Sequence, residues 1–157
     1  MTVGTFLVFP EGEGKALAVT GSLVYAGGSF DQVGLVGQDT IRLRRATIWP
    51  YSIVRPVSRP VSTCPNDTVF TFSDDGRRLY VGGLFTTIGG QPRGRLATID
   101  KTTGLLTSWN PNANGLVRSI VVSRGKVFVG GEFTTIGGKP RTMFAVIDPE
   151  TGQLVGD

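Results

Sequence analysis

Leu79-Tyr80-Val81-Gly82-Gly83-Leu84-Phe85-Thr86-Thr87-Ile88-Gly89-Gly90-Gln91-Pro92-Arg93 is followed, further along the chain, by Val127-Phe128-Val129-Gly130-Gly131-Glu132-Phe133-Thr134-Thr135-Ile136-Gly137-Gly138-Lys139-Pro140-Arg141. The match continues downstream: Leu96-Ala97-Thr98-Ile99-Asp100 answers to Phe144-Ala145-Val146-Ile147-Asp148, and Thr103-Gly104 to Thr151-Gly152. Upstream, Val24-Tyr25-Ala26-Gly27-Gly28-Ser29-Phe30 is a shorter third copy. The Gly-Gly pairs begin at residues 27, 82 and 130, so the copies are spaced by 55 and 48 residues. Self-similarity at that period, in segments rich in β-branched residues and without helical periodicity, is the signature of propeller blades.

The local chemistry agrees. Val117–Val122 and Val127–Val129 are short β-branched runs separated by the tight turn Ser123-Arg124-Gly125, and Phe144–Ile147 forms another run. A last strand in the middle repeat reads Leu105-Leu106-Thr107-Ser108-Trp109 and is ended by Asn110-Pro111-Asn112, since proline cannot donate to a ladder. The pairs Gly27-Gly28, Gly82-Gly83 and Gly130-Gly131 read as places of close backbone approach, or of a bulge that a β-carbon would block. Asp100 and Asp148 read as turn caps, with Gly104 and Gly152 supplying the positive φ that closes each hairpin. Phe30, Phe85 and Phe133 recur at one position and read as core. The expectation is one all-β domain over 1–157, a partial β-propeller of about three four-stranded blades with a period of about 48–55 residues. The repeats fall near 15–62, 66–114 and 115–157, with 1–14 as a partner or closing strand.

On these residues the chain resembles the delta-sixty family of bacterial β-propeller repeats, whose pattern runs GGxFxxIGG, then AxID, then TGxLxxWNP. Residues 82–157 follow it closely and 15–49 loosely. The resemblance implies a propeller in surface-exposed or phage-associated proteins without a defined enzymatic activity. The segment Ala97–Gly104 followed by Trp109 is also similar to the tryptophan-docking motif of quinoprotein propellers, which implies a blade-to-blade clasp and not a cofactor site. The first repeat departs from the pattern. Trp49 stands where Asp100 and Asp148 stand later, Val33-Gly34-Leu35-Val36-Gly37 replaces the Gly-Gly turn, and 49–65 carries Pro50, Pro56, Pro60 and Pro65. A diverged segment on a regular scaffold suits partner contact, with Arg44, Arg45, Arg55 and Arg59 as the candidate residues.

Composition narrows the chemistry. With 39% apolar residues the chain can bury a core, so its 23 glycines and 9 prolines read as frequent turns and not as disorder. There is no histidine, which removes the commonest general base and zinc ligand. Cys64 is the one cysteine, so no disulfide forms within the chain, and it reads as a small buried residue. No phosphate-binding glycine motif occurs. Asp74-Asp75-Gly76 lies between two strands and reads as a hairpin turn, not as a calcium loop. The sequence therefore points to a non-enzyme without catalytic, cofactor or metal residues. A net charge of +4 and the arginines of the first half would suit an acidic partner, yet no aromatic interleaving accompanies them, and nucleic-acid binding is not expected.

The N-terminal stretch lacks a basic region and a long apolar run, so neither a signal peptide nor a membrane-spanning segment is read there. A compartment is not legible; a virion, or export within an assembly, would fit the family pattern. Propellers have about 4–8 blades, so three leave apolar faces uncovered. The expectation is a structural or interaction protein whose blades are completed through terminal strands, by copies of itself or by a protein partner; the competing account is a fragment or domain cut from a longer propeller, and a quinoprotein-like enzyme is the reading with least support. The alternative is a glycan- or small-ligand-binding module built on Trp49, Tyr51 and Asn66.

Overall fold

The computed structural model describes residues 65–156 in full. In the N-terminal part it describes the strand backbone at 6–8, 12–20, 23–30, 32–36, 44–45 and 51–52. The strands in chain order are β1 (Phe6–Val8), β2 (Gly12–Thr20), β3 (Leu23–Phe30), β4 (Gln32–Val36), β5 (Arg44–Arg45), β6 (Tyr51–Ser52), β7 (Val69–Asp74) and β8 (Arg78–Gly83). They continue as β9 (Thr87–Ile88), β10 (Gln91–Pro92), β11 (Leu96–Asp100), β12 (Leu116–Ser123), β13 (Lys126–Glu132), β14 (Thr135–Ile136), β15 (Lys139–Pro140) and β16 (Phe144–Ile147). No helix occurs among the described residues.

Three antiparallel sheets repeat one plan: β2-β3-β6, then β7-β8-β11, then β12-β13-β16. In the second and third, a small hairpin (β9–β10, β14–β15) is inserted between the middle and outer strands, where Gly89-Gly90 and Gly137-Gly138 turn the chain with positive φ. This is a partial β-propeller, with the three sheets as blades. The fourth strand of each complete blade is abbreviated. It is held by single bridges, Ile99 to Leu106 and Ile147 to Leu154, and by flanking bonds such as Thr107 N–H to the Thr98 carbonyl at 2.9 Å. In the middle blade the chain then leaves its own sheet, and the Trp109 ring reaches the next blade.

The Gly-Gly pairs lie opposite a β-bulge in the inner strand of every blade. The pairing skips one residue between Gly14 and Ala16, between Val69 and Thr71, and between Val117 and Ser119. Gly83 explains the requirement, since a Cβ there would meet the Thr68 carbonyl oxygen at 2.1 Å. The bulge brings backbone to backbone, and only glycine leaves room.

The first blade is built differently at its hairpin. β4 pairs on one edge with β5 and on the other with β1, through Phe6–Val36, Leu7–Leu35 and Val8–Gly34. Phe6–Val8, expected as a strand for another blade, thus pairs within its own chain, and the inner strand of the first blade already starts at Gly12. Ser52 pairs with Tyr25 as Thr98 pairs with Tyr80. Trp49, which aligns in sequence with Asp100 and Asp148, lies outside the described residues.

Packing follows the period of two. Along β8, Leu79 and Val81 join Val69, Phe85, Ile88, Ala97 and Ile99 in one core cluster, while Tyr80 points the other way into a second. That second cluster joins Tyr80, Leu96 and Trp109 of the middle blade to Val117, Ile120, Val127, Val129, Ala145 and Ile147 of the third. The blades stack in one sense: β7 lies over β2 and β3, and β12 lies over β7 and β8. At the second junction, a Cβ on Gly82 would meet Val117 and Ile120 at 2.7 and 2.8 Å, so this glycine lets the next blade settle onto the sheet.

Candidate functional site

The repeated aspartates are turn caps by geometry. Asp100 Oδ1 accepts the backbone N–H groups of Thr102 and Thr103 at 2.8 and 3.0 Å, and Gly104 follows at φ 71°. Asp148 Oδ1 accepts those of Glu150 and Thr151 at 2.9 and 2.8 Å and the Thr151 hydroxyl at 3.0 Å, and Gly152 follows at φ 73°. The Thr103 N–H chiefly holds the Asp100 carboxyl below its usual range, and the Thr151 N–H does the same for Asp148. The two aspartates belong to different blades, each closing its own turn. Among the described residues no three His, Cys, Asp or Glu side chains gather where they could hold a metal.

What the side chains build is a blade-to-blade junction. Trp109 is 4% exposed and donates its Nε1–H to the Asp148 carbonyl of the next blade at 3.0 Å. Its ring meets Tyr80 edge-to-face at 5.3 Å. The Tyr80 hydroxyl donates to Asp75 Oδ2 at 2.9 Å, and burial, aided by that carboxylate, raises the phenol well above its ordinary value. Arg78 reaches across to the Pro149 carbonyl and to Glu150, while its Nε faces Asp75 at 3.5 Å. Burial raises the Asp75 carboxyl, but the N–H groups of Arg78 and Arg77, the Tyr80 hydroxyl and the Arg78 charge outweigh it, and the net shift is downward. Arg95, held at φ 60°, extends Nη1 to the Ala113 carbonyl at 3.2 Å. Two hydroxyls complete the seam: Thr71 accepts the Ile120 N–H at 3.4 Å and Ser73 the Val122 N–H at 3.1 Å.

The same face recurs on the third blade with nothing from the described chain upon it. By register, Tyr80 becomes Phe128, Leu96 becomes Phe144, Arg95 becomes Met143, Ser73 becomes Val121 and Thr98 becomes Val146. Leu96 is wholly buried, whereas Phe144 is 56% exposed, Met143 65% and Val121 52%. Phe128 and Phe144 stack at 6.4 Å on this face. Gly130, the counterpart of Gly82, has no atom nearer its would-be Cβ than the Met143 carbonyl at 3.9 Å. Among the described residues the face has the make-up of one half of a blade junction, and it is more apolar than the one filled within the chain.

Of the residues singled out from the sequence, Gly82, Gly83, Gly130, Gly131, Trp109, Asp100, Gly104, Asp148 and Gly152 lie in the bulges, turns and clasp just described. Gly27 and Gly28 pair with Ala16 and Gly14 across the first bulge. Arg44 and Arg45 form β5 against Val33 and Gln32. Arg55, Arg59, Trp49 and Cys64 lie outside the described residues. Asn66 is engaged within the blade, its Oδ1 accepting the N–H groups of Thr86 and Thr87 at 2.8 and 2.9 Å and its amide donating to the Thr86 hydroxyl. Asn114 does the same for Thr134 and Thr135. Sequence reasoning missed this pair as a repeated loop tie, although its spacing equals that of the second and third Gly-Gly pairs. It also missed Arg78 and Arg95 as cross-blade donors, because Lys126 and Met143 replace them in the third blade and hide the repeat.

Comparison with known proteins agrees with the architecture. Residues 75–97 match the family described as a domain of unknown function (DUF5122) beta-propeller. A computationally designed protein, Ika8, is similar over 91% of this chain and 35% of its own length, at 16% identity and a TM-score of 0.50. The WD40 domain of Pan2 from Neurospora crassa is similar over 91% of this chain and 48% of its own length, at 15% identity and a TM-score of 0.46. The chain thus spans about a third of the first of these structures and about half of the second. A search of curated proteins found no match.

Proposed function

We propose that this chain is a non-catalytic structural and interaction module, a set of propeller blades completed by assembly with copies of itself or with a protein partner. The observation that supports it is the outer face of the third blade. Val121, Met143 and Phe144 stand exposed beside a half-buried Phe128, at positions whose counterparts in the middle blade are packed beneath a neighbour. Contiguous apolar patches of this kind mark interaction surfaces. The titratable groups described above serve turns and clasps, and this supports a role without chemistry. Placement in a phage particle, as a tail or capsid-associated component, or on a bacterial surface rests on the delta-sixty resemblance of residues 82–157. Sedimentation velocity of the purified chain over a range of concentrations tests the assembly claim. The expected result is a species larger than one chain; a compact, stable monomer throughout would overturn it.

A further inference from the structure

We infer that the partner of the third blade's outer face is the inner strand β2 of a second copy of this chain, so that two copies join head to tail. The inference rests on the assembly reading above and identifies its partner and contact.

The geometry of the internal junctions supplies the argument. Each inner strand lies over the inner and middle strands of the blade before it: β7 over β2 and β3, β12 over β7 and β8. The next step of that progression requires an inner strand over β12 and β13. β2 is the inner strand that follows no earlier blade among the described residues. It carries the same bulge in the same register, so Gly14 and Leu17 occupy the positions held in β12 by Val117 and Ile120. Those two side chains are the ones that settle over Gly82. The chain therefore contains both halves of one junction, the outer face of the third blade and a bulged inner strand to cover it.

Gly130 sharpens the case. Gly82 and Gly83 are each required by atoms of this chain, and Gly131 by the Leu116 carbonyl oxygen at 2.0 Å. Gly130 is not among the residues with positive φ, and a Cβ there would make only ordinary contacts, the nearest at 3.9 Å. Its place in the repeat is explained when an incoming strand passes over it as β12 passes over Gly82. The face also supports a different occupant from the internal one. Val121 replaces the Ser73 hydroxyl that accepts the Val122 N–H, and Met143 replaces the Arg95 that reaches Ala113. Fewer polar partners and more apolar surface suit a strand reading Lys15-Ala16-Leu17-Ala18-Val19, which lacks the serine, threonine and aspartate that β7 carries at the equivalent positions Phe70–Asp74. A head-to-tail contact between copies closes when the rotation allows, and the three described blades taken twice make six, within the roughly 4–8 of known propellers.

The test uses the full chain and two variants, one on each half of the contact: Gly130→Val and Leu17→Arg. A Cβ at Gly130 would make only ordinary contacts, with the Met143 carbonyl oxygen at 3.9 Å and the Ser119 Cβ at 4.0 Å, so the circular dichroism of Gly130→Val should keep the β signature of the wild type and its thermal unfolding should stay cooperative. Light scattering should report two chains for the wild type and a mass halved for either variant. A mixture of the variants should recover two-chain particles, since each then supplies the intact half the other lacks. A two-chain mass that survives Gly130→Val would overturn the inference while leaving assembly standing. Loss of pairing in Gly130→Val without recovery in the mixture would also overturn it, pointing to a contact of like face on like face. A wild type that remains one compact chain would overturn both readings.

Discussion

Replacing Trp109 with alanine is expected to destabilise the chain by about 3–5 kcal/mol, the range for removing a large buried aromatic. Three losses coincide. The ring is 4% exposed and sits in the core cluster that joins the second blade to the third. Its edge-to-face contact with Tyr80 at 5.3 Å disappears, an arrangement that contributes about 0.5–1.5 kcal/mol beyond burial. The Asp148 carbonyl loses its donor in the turn that Thr151 and Gly152 close. Urea unfolding followed by far-ultraviolet circular dichroism reads the change as a lower midpoint at unchanged slope. Trp109→Phe should recover much of the loss, because the apolar ring is kept and only the Nε1–H donor goes. An effect below about 1 kcal/mol for the alanine variant would contradict the clasp.

Gly83→Ala is expected to cost about 3 kcal/mol, at the upper end of overpacking effects, although it adds one methyl group. A Cβ there stands 2.1 Å from the Thr68 carbonyl oxygen and 2.9 Å from the Val69 Cα. Both are backbone atoms, fixed on one side by the bulge between Val69 and Thr71 and on the other by the Leu84 N–H, which donates to Thr68 at 2.8 Å. No side chain can rotate away to relieve the clash, so the strand pair itself must move. The same change at Gly76, where the Cβ has open space but φ is 90°, isolates backbone strain from contact and should cost less. Thermal unfolding of the two variants side by side measures the difference. Equal effects would contradict the assignment of the bulge as the reason for the Gly-Gly pair.

Much of this architecture was legible in the sequence because each device is local. A Gly-Gly pair, an Asp followed by Thr-Gly, and a Trp-Asn-Pro stop each act within a few residues, and their recurrence fixed the blade count and the hairpins. The first repeat is less legible, because nothing in its sequence marks that β4 pairs with both β5 and β1. The brevity of the fourth strand at Leu106 and Leu154 was likewise hidden, because alternation in sequence does not reveal that a strand makes a single bridge. The junction was half legible. Trp109 announced itself through its motif, whereas Arg78 and Arg95 act across more than one element and change identity between copies. The uncovered face could not be read from composition, because Phe144 and Leu96 look alike until one is seen at 56% exposure and the other at none.

Electron cryomicroscopy of the assembled form shows what lies against the outer face of the third blade. The expected result is a closed ring of blades arranged about a central axis, with Val121, Met143 and Phe144 covered by the inner strand of a neighbouring blade. A particle in which that face remains open to solvent, or in which the blades do not radiate from one axis, would contradict it.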